Sequence, residues 1–158
     1  MLGLHKPRWL LGVAAVSVLA AFLPAMPFHA SSAATEFAYV GGTEHLQYHC
    51  EGELEVAPSA MTFRCPAGAI TIPFDTITHM EYRPKLSVAV SKMKLRWTAK
   101  PIGSGRKKNR FFTVLYREDH HVHAIVLQVS PDEMRPYLAV LELHTGKRIA
   151  VWDYRGFD

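Results

Sequence analysis

The chain has 158 residues, of which 49% are hydrophobic and 20% charged; that length and makeup fit one globular domain with a core and exclude an acidic or low-complexity disordered chain. Its formal charge is +4, but Lys6 and Arg8 lie in an N-terminal segment of a different kind. Without them sixteen basic residues face fourteen acidic ones, +2, which gives no ground for a nucleic-acid partner.

That first segment opens with His5-Lys6-Pro7-Arg8, continues as an apolar run of 15 residues from Trp9 to Leu23, and ends in Ser31-Ser32-Ala33-Ala34. A basic start, an apolar stretch and small residues at the cut are the marks of a secretory signal peptide. Residues 1–34 are therefore predicted to be removed after Ala34, leaving 35–158 as a single exported domain, periplasmic or secreted. The alternative is an N-terminal membrane anchor, for which the run falls short of the roughly 20 residues a bilayer span requires. Export argues against a nucleic-acid partner and makes an oxidising compartment the expected one.

Residues 36–49 read as an irregular lead-in with a turn at Gly41-Gly42. A hairpin follows, Glu51–Val56 and Ala60–Arg64 around Ala57-Pro58-Ser59. Gly52, Leu54 and Val56 share a face with Cys50; Met61 and Phe63 share one with Cys65. Pairing Leu54 with Met61 sets Cys50 opposite Cys65, and parity alone keeps both thiols on one side. A Cys50–Cys65 disulfide is expected, closing a loop of 15 residues at about 3 kcal/mol in the chain-entropy model. His45, His49 and Cys50 also suggest metal ligands, but a bridged Cys offers no thiolate.

Ala69–Phe74 is a strand that Pro73 places at a sheet edge. Asp75-Thr76 turns the chain, and Ile77–Arg83 resumes as strand. Leu86, Val88 and Val90 alternate; then the phase slips, and Met93, Leu95 and Trp97 alternate, predicting a strand with a bulge near Ser91. Lys100–Arg110 is a Gly/Pro/Lys loop. Phe111–Tyr116 and His123–Val129 are strands about a polar turn, the second apolar enough to be covered on both faces. Ser130, Pro131 and Glu133 form a capping box with proline at the first helical position. The helix buries Met134, Tyr137, Leu138 and Leu141, with Val140 and Leu143 widening the stripe, and ends at Gly146. Ile149–Trp152 offers a last short strand.

About seven strands at meander spacing followed by one helix is an α+β order. In Gly52–Val56, Ile72–Ile77 with Met80-Glu81-Tyr82, Asn109–Val114 and the capped helix, the chain resembles the pleckstrin-homology-like (PH-like) superfold, and is similar to exported bacterial proteins of that type with no assigned activity. The resemblance implies a bent antiparallel β-barrel or sandwich of about seven strands closed by one C-terminal helix, serving as a binding or scaffolding module without catalysis. The Val56–Ala60 turn lacks the basic residues that inositol-phosphate readers of that superfold carry there, and the helix lacks the tryptophan common in its terminal helix.

There is no nucleophile elbow, P-loop, HExxH or dinucleotide-binding glycine run, so neither enzyme activity nor a cofactor is expected. Charge, by contrast, is segregated. Residues 36–82 hold seven acids and one base, Arg64, whereas residues 83–110 hold ten bases and no acid. Lys92, Lys94 and Arg96 alternate with Met93, Leu95 and Trp97, which on a strand gives a cationic and an apolar face. With Lys100, Arg106, Lys107, Lys108 and Arg110 they are the candidate site for an anionic envelope partner: a lipid head group at a peripheral membrane contact, a glycan or an acidic protein. Glu51, Glu53 and Glu55 form an opposed ladder. It could pair with the cations within the domain or across a self-associating structural subunit. His120, His121 and His123 beside Asp119 are weaker candidates for a metal-binding turn.

Overall fold

The computed structural model describes residues 37–101 and 110–152. The expected signal peptide, the loop cations Arg106, Lys107 and Lys108, and the last six residues lie outside them. In chain order the elements are β1 (Phe37–Gly42), β2 (Cys50–Val56), β3 (Ala60–Cys65), β4 (Gly68–Pro73), a 3-10 turn (Phe74–Thr76), β5 (Ile77–Arg83), α1 (Val88–Lys92), β6 (Arg110–Glu118), β7 (His121–Val129), α2 (Pro131–Thr145) and β8 (Ile149–Val151). The strands form one sheet in the order β4-β3-β2-β1-β7-β6-β5-β8. All neighbours are antiparallel except β8, which runs parallel to β5. The class is α+β, as the element order predicts. Among the described residues the sheet has eight strands against the about seven expected, and it is not closed: β4 and β8 end the order unpaired with each other, which corrects the barrel form of the expected barrel or sandwich. Among the described residues no helix is long and apolar enough to cross a membrane.

β1 is a strand where an irregular lead-in is expected, and with Leu86–Trp97 forming no strand it and β8 bring the count to eight. Phe37 and Tyr39 are fully buried, and β1 joins the two halves of the sheet by pairing with β2 and β7. Gly41-Gly42 does not turn the chain. A register shift lies between Tyr39 and Gly41. A Cβ on Gly41 would fall 2.5 Å from Cδ of Pro101, so the glycine admits a crossing segment.

The β2–β3 hairpin carries the Cys50–Cys65 disulfide, with Cα atoms 6.0 Å apart. The register differs from the expected one by two residues, since Leu54 faces Phe63 and Val56 faces Met61. Cys50 and Cys65 are thus diagonal, not opposite. Proline explains the slip: a loop at Pro58-Ser59, closed by the Ala57 N–H on the Ala60 carbonyl, puts Pro58 at the first corner, where its fixed φ suits a turn. The expected register would place it at the second, where it is disfavoured.

One face of the sheet builds the main core, with Met61, Phe63 and Ile72 from β3 and β4, Tyr82, Phe112 and Leu127 from the other half, and Met134 and Leu141 from α2. The α2 cap forms as expected: Ser130 Oγ accepts from the Glu133 N–H, Glu133 returns a bond to the Ser130 N–H, and Gly146 closes the helix in the left-handed region at φ 64°. The apolar stripe is narrower than expected. Tyr137 and Leu138 pack on the core, but Val140 and Leu143 are 40% and 80% exposed. At 100° per residue, Leu143 points away from Leu141.

The other face of β1, β5, β6 and β7 is covered by residues 84–100, which we call the strap. The expected bulged strand is absent. Ser87 caps the five-residue helix α1, and residues beyond Met93 run extended without joining the sheet apart from a bridge between Ala99 and Gly42. Leu86, Val90, Met93, Leu95 and Trp97 pack on Phe111, Leu115, Ala124, Val126 and Val40. Both ends are tied. The Ser87 N–H donates to the buried carboxylate of Glu81 at 3.0 Å. At the far end the Gly42 N–H donates to Ala99 O, the Thr98 N–H to Gly42 O, and Thr98 Oγ1 to Thr43 O. The strap also explains why β7 is apolar on both faces.

Candidate functional site

The strap sorts its residues by direction although it is not a strand. Lys92, Lys94, Arg96 and Lys100 are exposed, as is Thr98, and Met93, Leu95, Trp97 and Ala99 between them are partly buried. Lys85 is exposed on the same segment. Among the described residues no ion pair engages these cations, whereas Glu55 of the opposed ladder lies 3.8 Å from Arg64 on the neighbouring strand. The two ladders therefore do not neutralise each other within the described part of the chain. Lys100 reaches back to donate to Ser91 O at 2.9 Å. Arg110 stands apart from the group: it donates to Trp152 O and lies over the Tyr82 ring, so it holds β6 and β8 together.

The strap and the β6–β7 turn enclose a cleft of about 810 Å³. Lys94 and Arg96 from the strap line it together with His120, His121 and His123 of the turn region and His45. Two groups that the sequence offered as unrelated candidates, the cations and the histidines, are thus brought to one place. The turn is tighter than the expected Arg117–His121: β6 continues to Glu118, and Asp119 and His120 make the reversal in the left-handed region at φ 46° and 64°.

Beneath the cleft is a polar network that the sequence does not reveal. One oxygen of Glu44 accepts from Tyr116 OH at 2.7 Å, His123 Nδ1 at 2.9 Å and Thr43 Oγ1 at 3.0 Å. The His123 ring also stacks on Tyr116, 5.4 Å between centroids. Tyr39 OH donates to the Glu44 carbonyl. Burial opposes ionisation of the Glu44 carboxyl, but the three donors outweigh it and hold the group below the ordinary carboxylate value. Burial first, then Glu44, drives the Tyr116 hydroxyl far above the ordinary phenol range; burial and Glu44 push Tyr39 up to about 12. Glu44 and His123 are 79 residues apart, so no local spacing signals the pair.

His123 is therefore fixed by the Glu44 carboxylate and the Tyr116 ring, whereas His121 makes its contact with the Asp119 carbonyl, Nδ1 to O 2.8 Å. Among the described residues no group of three or more His, Cys, Asp or Glu is placed to hold a metal ion. The bridged Cys50 removes the thiolate from the His45/His49/Cys50 trio. No protein-family model matches the chain, and no curated protein matches it.

Proposed function

We propose that the chain is an exported, non-catalytic binding module of PH-like type that docks an anionic partner of the cell envelope on the outward side of the strap. The observation that carries this reading is the shared exposure of Lys92, Lys94, Arg96 and Lys100 on one tied-down segment with no acid in its sequence. Cations held on a fixed backbone attract an anion by their summed field, and salt screens such exposed charges. The Cys50–Cys65 disulfide is compatible with export, and the N-terminal segment has the signal-peptide pattern.

The test is retention of the chain from residue 35 on a polyanionic matrix such as immobilised heparin. Wild type is expected to bind and to elute with moderate salt. The triple variant Lys92→Glu/Lys94→Glu/Arg96→Glu should flow through with its circular dichroism unchanged. Equal retention of the two would overturn the reading. The exposed Glu51, Glu53 and Glu55 face of β2 supports a second reading, self-association of a structural subunit through opposite charges. Light scattering at low salt separates a dimer from a monomer.

A further inference from the structure

We infer that the cleft between the strap and the β6–β7 turn is a phosphomonoester site whose occupation places a proton between His123 Nε2 and a phosphate oxygen. The inference rests on the anionic-partner reading and names the ligand class for one part of that surface. Four observations carry it. The cleft, about 810 Å³, lies within the few-hundred to about 1,000 Å³ range of small-molecule sites. Lys94 and Arg96 line it, and an arginine fork with an ammonium offers more donors than a carboxylate's two oxygens need, a number that suits the three terminal oxygens of a phosphate ester. Leu95 and Val122 give it an apolar wall for the organic part of the ester.

The fourth observation is His123. Its Nδ1 is held by the Glu44 carboxylate, and among the described residues nothing bonds Nε2. With the Nδ1 proton directed at Glu44, a neutral ring leaves the Nε2 lone pair free. A phosphate dianion meeting that lone pair would be acceptor against acceptor. One proton from solvent, carried on Nε2 or on the phosphate oxygen, turns the clash into a charge-assisted hydrogen bond. Binding therefore takes up a proton where both partners start without it. The charged and titratable groups around this point are Glu44 and Tyr116 behind the ring, Lys94 and Arg96 from the strap, His45, and Asp119, His120 and His121 of the turn. Asp119 is the one acid among the cleft's described lining residues, and it disfavours an anion at the turn's end of the cleft.

The experiment is calorimetric titration of the chain from residue 35 with glucose 6-phosphate in buffers of different ionisation enthalpy. Inorganic phosphate and glucose 6-sulfate serve as comparison probes, and vesicles containing phosphatidic acid as a separate arm. Near pH 7.5 the phosphate ester is expected to bind with uptake of about one proton, an uptake that vanishes near pH 5.5, where a free phosphate monoester already largely carries that proton. The sulfate ester, a monoanion with no proton to share, should bind more weakly and without uptake. His123→Gln should abolish the uptake; Arg96→Ala, at an exposed position, should keep the fold and the uptake and weaken binding about tenfold. Binding without uptake, uptake that survives His123→Gln, or affinity indifferent to Arg96→Ala would each overturn the inference. Vesicle binding with no response to the sugar phosphate would also overturn the small-ligand site. If the sugar phosphate fails while heparin still retains the protein, this inference falls and the proposed function stands; if both fail, both fall.

Discussion

Glu44 collects three donors on a single oxygen, and the cost of losing its charge can be measured. Its carboxyl is held below the ordinary value of 4.5, so the folded state binds the proton less readily than the unfolded state does. A depressed carboxylate contributes stability that is present above the unfolded value and lost as pH falls through the folded one. Glu44→Gln keeps the shape and removes the charge. At pH 7 the variant is expected to be about 1–2 kcal/mol less stable by urea denaturation, the size of a charge-assisted hydrogen bond. The gap should narrow as pH falls below the unfolded carboxylate value and close only below the depressed folded one, where the wild-type carboxyl is also neutral. A gap independent of pH would show that shape, not charge, fixes His123. Gly52 makes a related point without charge. A Cβ there would meet the Arg64 carbonyl and sit 2.8 Å from Cβ of Cys65, so the missing side chain is what lets the disulfide run diagonally across the hairpin.

The strap depends on the side chains it buries, because few backbone bonds hold its middle. Val90 is 1% exposed, on Leu115 and Ala124, whereas Val88 two residues earlier is 66% exposed. Val90→Ala is expected to cost about 2 kcal/mol through lost burial and the cavity left behind, and Val88→Ala close to nothing; midpoints of urea denaturation compare them. The same segment shows where sequence was sufficient and where it was not. The α2 cap, the β4 edge proline and β5 were legible because their signals lie within a few residues. The strap was misread because any extended segment lying on a surface alternates inward and outward, whether or not it pairs. Its helical part did leave a mark: Leu86, Val90 and Met93 are spaced by four and three, a helical period, where a bulge was inferred. β1 was missed because a glycine pair signals a turn and a close backbone approach equally well. Lys94, Arg96 and His123 could be named from sequence as candidates, but their convergence depends on how the strap crosses the sheet. The Glu44–His123 pair depends on β1 lying beside β7.

At the scale of the molecule, the strands are covered unequally, and this sets an order of stability. β6 and β7 lie inside the sheet with the main core on one face and the strap on the other. The β2–β3–β4 part buries one face only; its other face exposes Glu51, Glu53, Glu55, Arg64, Ala69 and Thr71. Local opening is governed by how much apolar contact a segment must give up. Amides of β6 and β7 should therefore exchange with deuterium only through global unfolding, and those of β3 and β4 through a lower-energy partial opening. The Cys50–Cys65 bond joins β2 to β3 across the less-covered part. Constraining the opened chain there raises the free energy of that opening. Reduction should thus speed exchange in β2, β3 and β4 first and leave β6 and β7 the slowest amides in the chain. Exchange that rose uniformly on reduction would mean that the two halves of the sheet open as one unit, and that the strap adds no separate protection.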